Sequence, residues 1–491
     1  MNRIMFTVLV ASTCGLIFTP TKGKQSSALP KPPELHARNH ELSLTLHAVA
    51  DSKGRDAFAF NGQPVAPILR VSPGDTIQID YVNDLPKKAK GSCAISPCMD
   101  MTNLHFHGLT VSPNAPQDDV ITMIAMPGQS LHYAVSIPED QRPGLYWYHT
   151  HPHGESYRQV RDGMSGAIVI EGIEHYVPEV RDLHEQILIV RGQSISDDPQ
   201  AASLLKRVQV SAGGCGSKSG APDEIFTLNG AIRPRIAIGP GERQFWRIAN
   251  ASADRYIDLQ LDGQLFEIVA LDGMPIAYHD PAHPRRTANN FLVPPGGRLE
   301  AIVTGPLSAP HAALRSLCVE TGSQGDPNPG MVLADVVPAL PAAPLFSKSH
   351  DVLGPSPHKV VDLQAKEKSR PDFVAILTED KKGFYINGEL YEPDSAPMRV
   401  AQVGTYEHWR FVNATGELHP MHIHQVHFFA FAENERKVEN PVWLDTVNVP
   451  VGGSVDVVMD FTNPVIRGMS VFHCHLLNHE DKGMMAKILF E

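Results

Sequence analysis

The sequence predicts an all-β protein built from three β-sandwich domains in tandem. Pro (41) and Gly (38) are spread along the 491 residues, which is typical of many short strands joined by turns. Hydrophobic residues make up 42% of the chain and charged residues 20%, so a large core can be buried and disorder as the main state is excluded. At roughly 150 residues per domain, the length also suggests about three domains.

A turn pattern that occurs three times measures the length of one domain. It begins with Asn-Gly at Asn61, Asn229 and Asn387, which lie 168 and 158 residues apart. Asn-Gly favours a tight hairpin turn, and the residues between turns alternate apolar and polar as strands do, for example in 76–82. The predicted bounds are 36–173, 174–337 and 372–491 for the three domains, and 338–371 for a Pro-rich linker.

The N-terminus predicts export. Arg3 precedes an apolar stretch from Ile4 to Phe18 that is too short to span a bilayer but suits a secretory signal. We assign 1–28 to a leader segment and expect a periplasmic or secreted protein; a buried first strand is the alternative. Cys14 follows Ser-Thr, which is a poor lipoprotein signal. No later segment is apolar enough for a transmembrane anchor.

Charge and cysteine content narrow the function. The net charge of −12 argues against nucleic acid as a partner. Outside the leader the number of cysteines is odd, so we expect one functional thiolate. The five are Cys93, Cys98, Cys215, Cys318 and Cys474. Cys93 with Cys98 and Cys215 with Cys318 could form disulfides in an oxidising compartment, with free buried thiols as the alternative.

Histidine is the unusual residue of this chain. Eight of the 24 histidines form four His-x-His pairs that occur in both the first and the third domain, near the start and end of each. The pairs are His105/His107, His149/His151, His422/His424 and His473/His475. Residues i and i+2 of a strand share a face, so each pair directs two imidazoles to one point. Eight nitrogens are too many for one ion, and we expect two or three metal ions between the first and third domains.

A second ligand set occurs only in the third domain. It consists of His419, Cys474, His479 and Met484. Two His, one Cys and a weak Met are the ligands of a blue-copper electron-transfer centre. At the matching positions the first domain has Thr102, Thr150 and Glu155. Because Cys474 stands between two cluster histidines, its sulfur should point to the opposite side, and one stretch would connect both sites. Met485 is an alternative to Met484.

These motifs closely resemble those of the multicopper oxidases. The resemblance rests on His-Phe-His-Gly at 105–108, Trp-Tyr-His-Thr-His at 147–151, His-Pro-Met-His-Ile-His at 419–424 and His-Cys-His-Leu-Leu-Asn-His at 473–479. It implies three cupredoxin-like Greek-key sandwiches and four coppers per chain. The implied ligands are His419, Cys474, His479 and Met484 for type 1 copper, His105 and His422 for type 2, and His107, His149, His151, His424, His473 and His475 for the type 3 pair.

The resemblance also implies a reaction. A reductant would give up electrons singly at the type 1 site, and four electrons would reduce dioxygen to water at the trinuclear cluster. Laccase-like oxidation of phenols or aromatic amines is our first expectation. Oxidation of Fe(II) or Cu(I) is second, because it needs only a few acidic residues near His479. A non-catalytic cupredoxin scaffold, a copper nitrite reductase and a copper-storage or electron-transfer protein are alternatives that the full histidine set disfavours. We expect a monomer without nucleic-acid partners.

Three carboxylates are further candidates. Reduction of dioxygen consumes protons, and Glu480 and Asp118 are candidates for a proton relay, with Asp119 as an alternative to Asp118. By the family resemblance, Asp445 is expected to hold the ring N–H of a blue-site histidine. For all three, the alternative is an ordinary structural or solvated acid.

Overall fold

The computed structural model describes residues 27–87, 98–196, 198–211, 215, 222–307, 312–339 and 363–491. Almost all regular structure in these ranges is β-strand, and the longest helices have seven residues. None of the helices in the described part is long and apolar enough to cross a membrane. The predicted all-β class is confirmed.

The first sandwich comprises β1 (Glu34–His36), β2 (Glu41–Ala50), β3 (Asp56–Ala59), β4 (Ile68–Val71), β5 (Thr76–Asn83), β6 (His105–His107), β7 (Ser130–Ser136), β8 (Gly144–His149) and β9 (Ser165–Ile170), with helix α1 (Ser156–Asp162). Its sheets have the orders β1-β4-β9-β8-β6 and β3-β2-β5-β7. Two short 3₁₀ turns, Ile173–His175 and Pro178–Asp182, follow it.

The second sandwich comprises β10 (His184–Ser194), α2 (Ala201–Arg207), β11 (Glu224–Leu228), β12 (Arg235–Ile238), β13 (Arg243–Asn250), β14 (Ile257–Leu261), β15 (Phe266–Leu271), β16 (Met274–Pro275), α3 (Ile276–His279), β17 (Arg286–Ala288), β18 (Asn290–Val293), β19 (Arg298–Thr304), β20 (Ala312–Leu317) and β21 (Met331–Pro338). Its sheets have the orders β11-β10-β13-β19-β15-β16, with β17 on β15, and β12-β21-β20-β14-β18.

The third sandwich comprises α4 (Gln364–Glu367), β22 (Phe373–Glu379), β23 (Phe384–Ile386), β24 (Arg399–Ala401), β25 (Thr405–Asn413), β26 (His419–Ile423), β27 (Phe428–Glu433), β28 (Arg436–Leu444), β29 (Thr446–Val449), β30 (Ser454–Phe461), a 3₁₀ turn (Pro464–Ile466), β31 (Gly468–Cys474), α5 (Leu477–Asp481) and β32 (Met485–Phe490). Its sheets have the orders β23-β22-β25-β30-β27-β28 and β24-β32-β31-β26-β29.

The three sandwiches repeat one topology. Each contains an equivalent parallel pair, β2 with β5, β10 with β13 and β22 with β25, and a second one, β4 with β9, β12 with β21 and β24 with β32. Each also encloses its own apolar core, centred on large rings such as Trp246 and Trp409 in the second and third sandwiches. The repeat seen in the turns therefore extends to strand pairing.

Buried ion pairs join the first and second sandwiches. Arg247, on β13, pairs with Glu300 and with Glu185, whose second oxygen pairs with Arg70 of β4. The Glu300 carboxylate also accepts a hydrogen bond from the backbone of Leu145, on β8, at 2.8 Å. Buried charges are tolerated only when they are paired, so this network fixes how the two sandwiches dock.

Some predicted features fall partly outside the described residues. Of the predicted leader, Ser27 and Ala28 are described, and this end of the segment pairs with the backbone of Arg235. Of the predicted linker, 340–362 lies outside, and α4 occupies part of the remainder. Cys93 also lies outside, so its pairing with Cys98 is not described. Cys215 and Cys318 form a disulfide with a Cα–Cα distance of 5.6 Å.

Candidate metal centre

Four strands bring the eight paired histidines together between the first and third sandwiches. In β6 and β8, His105 lies opposite His149; in β26 and β31, His422 lies opposite His473. The two strand pairs are therefore duplicates of each other. All eight side chains are at most 2% exposed, so they meet in a region that is closed to solvent.

The ring nitrogens of this cluster suit metal ions. Burial lowers the pKa of all eight histidines, so each ring is neutral at pH 7 and carries a lone pair. Buried nitrogens without a partner are Nε2 of His105, His149 and His422, Nδ1 of His107 and His424, and both nitrogens of His475. An unpaired buried polar atom costs about 1–3 kcal/mol, and coordination to metal would remove that cost.

In several of these rings, the nitrogen that points away from the cluster forms a hydrogen bond with the protein. Nδ1 of His149 donates to the carbonyl of Thr150 at 2.9 Å, and Nδ1 of His473 donates to the carbonyl of Cys474 at the same distance. These are equivalent positions of the duplicated motif. Such contacts fix the tautomer and the direction of the free lone pair, as they do in known metal sites.

Asp118 supports His105. The Nδ1–H of His105 donates to the Asp118 carboxylate at 3.0–3.1 Å, and Nε2 of Gln425 donates to it at 2.7 Å. Burial raises the pKa of Asp118 well above its usual range. Asp119, the alternative, instead accepts hydrogen bonds from the backbone of Ile121 and Thr122 within its own loop.

Asp445 lies against the histidine cluster, which corrects the prediction that it supports the thiolate site. Its Oδ1 accepts a hydrogen bond from Nε2 of His107 at 3.1 Å, and its carbonyl accepts one from Nδ1 of His422 at 2.8 Å. The reason is the strand register. In the antiparallel pair of β26 and β29, His422 lies opposite Thr446, so Asp445 is at the cluster end and His419 is at the other end.

The thiolate site forms within the third sandwich. Sγ of Cys474 lies 3.4 Å from Nδ1 of His419 and 3.9 Å from Nδ1 of His479, and these two nitrogens are 3.4 Å apart. The other nitrogen of His419 is hydrogen-bonded to Oγ1 of Thr415 at 2.8 Å, and that of His479 lies 3.4 Å from Oε1 of Glu417. Three soft or nitrogen donors at such distances suit one copper ion.

The two candidate axial methionines lie in different parts of the third sandwich. Met484 is fully buried in the same core cluster as Cys474. Met485 belongs to a separate cluster with Val120 and Tyr391. The side of the chain that carries Met484 is therefore the side that carries the thiolate.

Glu480 lies beside the histidine cluster. It is fully buried, its Oε1 accepts a hydrogen bond from Oγ of Ser156 at 3.2 Å, and its two oxygens lie 3.7 Å and 3.9 Å from Nδ1 of His151 and His473. Burial and the adjacent Asp481 raise the pKa of Glu480 well above its usual range. The group therefore keeps its proton to a higher pH than an exposed glutamate does, and it lies close to the cluster.

Comparison with known proteins decides the family. Models described as multicopper oxidase match residues 44–175, 146–311 and 355–491. The chain belongs to the multicopper oxidase family. It is thus a copper-dependent oxidoreductase that uses dioxygen.

The similarity to known relatives covers nearly the whole length of this oxidase. "Multicopper oxidase mco" of Staphylococcus aureus is 23% identical over 95% of this chain and 93% of its own length. "Laccase" of Bacillus subtilis is 26% identical over 87% of this chain and 89% of its own. A solved structure, "Multicopper oxidase from Campylobacter jejuni: a metallo-oxidase", has a TM-score of 0.70, 23% identity and coverage of 98% and 99%. The last likeness supports the cupredoxin-like fold.

The first sandwich of this oxidase has a structural loop where the third has the thiolate site. Glu155, which matches His479, accepts hydrogen bonds from the backbone of Met99 and Asp100 and pairs with Arg158 at 2.5 Å. Thr150 matches Cys474 and is fully buried. The two equivalent helices, α1 and α5, pack together, because Asp481 accepts hydrogen bonds from the start of α1.

A cleft of about 300 Å³ opens beside His479. It is lined mainly by the second sandwich, with Tyr157 of the first and Glu417 of the third. Its carboxylates are Asp223, Glu224, Asp254, Asp326 and Glu417, and it also contains Arg255. Burial, together with Glu224 and Asp326, raises the pKa of Asp254 to about 8. An acidic cleft favours cationic ligands.

Sequence reasoning missed the contribution of the middle sandwich to the cluster, because it carries none of the eight histidines. Arg298 pairs with Asp445, and Gly296 packs so closely that a Cβ there would lie 2.9 Å from the ring of His475. The glycine-rich turn at 294–297, directly before an arginine, is the signal that could have indicated a close approach.

Gly108→Ala should disrupt the cluster more than it strains the backbone. Gly108 has φ +85°, and a Cβ there would lie 2.5 Å from both Nη2 of Arg298 and Oδ2 of Asp445. Gly62 has φ +72° and nothing within 4 Å. Both substitutions strain φ by about 1–2 kcal/mol, and only the first displaces side chains at the cluster. Thermal unfolding and copper content of both variants measure this; an equal loss in both would contradict it.

Proposed function

We propose that this oxidase holds four coppers and transfers electrons from a reductant in the cleft beside His479 to dioxygen at the histidine cluster. Type 1 copper would take His419, Cys474, His479 and Met484; type 2 copper His105 and His422; and the type 3 pair His107, His149, His151, His424, His473 and His475. Copper would supply one-electron redox chemistry at each site. The carrying observation is that Cys474 stands between His473 and His475, with its sulfur at one site and the flanking rings at the other.

The protein itself provides the path for electrons between the two sites and keeps water out of the cluster. His479 is 6% exposed and reaches the cleft, whereas Cys474 and both flanking histidines are fully buried. A reductant therefore contacts the edge of one ligand and never reaches the cluster. The backbone from Cys474 to its two neighbours is the shortest covalent connection between the two sites.

Cys474→Ser should separate the two sites. The thiolate produces the blue colour of oxidised type 1 copper, and a hydroxyl is a poor ligand for this site. We expect loss of the blue absorption and of oxidase activity, with about three of the four coppers retained by the histidines. Absorption spectroscopy and metal analysis on the same sample provide the measurement. A blue Cys474→Ser protein would disprove the assignment.

We propose that Glu480 and Asp118 relay protons to the cluster. Reduction of dioxygen to water consumes four protons, and both acids are buried within hydrogen-bond or near-contact distance of cluster histidines. The raised pKa of each carboxyl means that it keeps its proton to a higher pH than an exposed acid does, which suits a proton donor.

Glu480→Gln should slow the oxygen half-reaction selectively. The amide keeps the volume and a hydrogen bond to Ser156 but cannot release a proton. We expect parental blue colour and reduction by substrate, and reoxidation by dioxygen slower by on the order of tenfold or more, most of all at high pH where solvent protons are scarce. Stopped-flow reoxidation across pH measures this, with Asp119→Asn as the solvated-acid control. A parental profile in Glu480→Gln would exclude the relay.

For the reductant, the acidic cleft favours a cation, in particular Cu(I) or Fe(II), over the phenols that the sequence put first. Five carboxylates surround the approach to His479, and Glu417 is 3.4 Å from its ring nitrogen. Such oxygens attract a metal ion and have no advantage for a neutral phenol. A structural relative described as a metallo-oxidase agrees with this proposal. Laccase-like oxidation of phenols or aromatic amines, the first expectation from the sequence, becomes the second candidate.

Asp254→Asn should weaken the binding of a cationic reductant and leave the binding of a neutral phenol unchanged. Above pH 8, where Asp254 is ionised, we expect KM for Cu(I) to rise about threefold to tenfold, or ~1 kcal/mol for one partly screened charge. In the parent, KM for Cu(I) should fall as pH rises through about 8, because Asp254 then loses its proton. Steady-state kinetics with Cu(I), Fe(II) and a phenol test this.

Asp258→Asn is the matched control, since Asp258 lies on β14 four residues further along and hydrogen-bonds to Asn290 outside the cleft. Equal changes of KM for Cu(I) and phenol in Asp254→Asn would contradict the cationic reductant.

We propose further, as the sequence predicts, that 1–28 directs export and that the mature oxidase is a monomer. Intact mass of protein recovered outside the cytoplasm and its mass in light scattering test these two points.

A further inference from the structure

Arg298 of the middle sandwich reaches the edge of the histidine cluster. Arg298 is the first residue of β19 and is 1% exposed. Its Nη1 and Nη2 donate to Oδ1 and Oδ2 of Asp445 at 2.8 Å and 2.5 Å. A two-point contact of this kind fixes both the position and the rotation of a carboxylate.

The same sandwich also holds the backbone on which Asp445 stands. The backbone N–H of Arg298 donates to Oδ1 of Asp272 at 2.8 Å. The other oxygen of Asp272 accepts hydrogen bonds from the backbone of Asp445 at 3.2 Å and of Thr446 at 3.3 Å. The dipeptide 445–446 is thus clamped from its side chain and from its main chain by two residues of the middle sandwich.

This clamp acts on His107, whose ring is turned differently from the rings of His105 and His149. His105 and His149 use Nδ1 for their protein contacts and leave Nε2 without a partner. His107 does the reverse: its Nε2 contacts Asp445 and its buried Nδ1 is unpartnered. The carboxylate therefore decides which nitrogen of His107 is available to a metal ion.

We propose that Arg298 is a positioning residue of the copper cluster, through which the middle sandwich sets the ring orientation of His107. It holds the Asp445 carboxylate so that Nε2–H of His107 is engaged and Nδ1 is directed inward. The proposal rests on the copper ligands proposed above, and it gives the domain that carries none of the eight cluster histidines a defined part in building the site.

Arg298→Met in the copper-loaded, full-length oxidase tests the proposal. Methionine matches the length and the apolar stem but removes the two-point contact. We expect the type 1 absorption to stay parental, while the electron paramagnetic resonance of type 2 copper and the near-ultraviolet absorption of the type 3 pair change. Reoxidation by dioxygen should slow about tenfold, the usual scale for loss of a group that orients a metal ligand.

Arg247→Met is the matched control. Arg247 is a similarly buried arginine of the middle sandwich, 2% exposed, and it forms ion pairs with Glu300 and Glu185 rather than with Asp445. Its loss should lower thermal stability without changing the cluster spectra. Equal spectral changes in both variants, or parental cluster spectra in Arg298→Met, would overturn the proposal.

Asp445→Asn provides an independent measurement if Arg298→Met does not fold. It preserves volume but offers one acceptor in place of two, so the same cluster spectra should change with type 1 absorption retained. Parental spectra in this variant would also overturn the proposal. A parent enzyme that lacks four coppers would instead contradict the ligand assignment, so the two failures are distinguishable.

Discussion

The architecture depends on keeping eight imidazoles neutral, dry and correctly turned between two sandwiches. A protonated ring at this position would have no solvent and would repel its neighbours, and a neutral ring with the wrong nitrogen inward would offer hydrogen instead of a lone pair. Burial ensures neutrality. Carbonyls of Thr150 and Cys474 and the carboxylates of Asp118 and Asp445 then orient individual rings. The surrounding fold holds these partners in place.

Much of this arrangement follows from local sequence rules. Alternation along a strand is sufficient to place His473 and His475 on one side and Cys474 on the other, and the Asn-Gly turns are sufficient to count domains. The prediction that Asp445 supports the thiolate site was wrong. The position of Asp445 depends on the register of β26 against β29, which no single stretch of sequence encodes. Arg298 could not be predicted for a related reason: its partner is 147 residues away in the chain.

Domain duplication accounts for two similar loops, one after β8 and one after β31, that now have different roles. In the third sandwich the segment after β31 carries the thiolate site, and in the first the segment after β8 carries Glu155, locked by Arg158 and by the backbone at Met99 and Asp100. The two loops now pack on each other through α1 and α5. The copy without the thiolate thus supports the copy that has it, and Ser156 contributes the hydrogen bond to Glu480.

The contact of Asp445 with Arg298 has a consequence for assembly. The proposed type 1 ligands all lie between 419 and 484, so that site is complete once the third sandwich has folded. The cluster needs the first sandwich for half of its histidines and the second for the clamp on 445–446. The proposed type 1 site therefore depends on the folding of one sandwich, whereas the histidine cluster depends on the docking of all three.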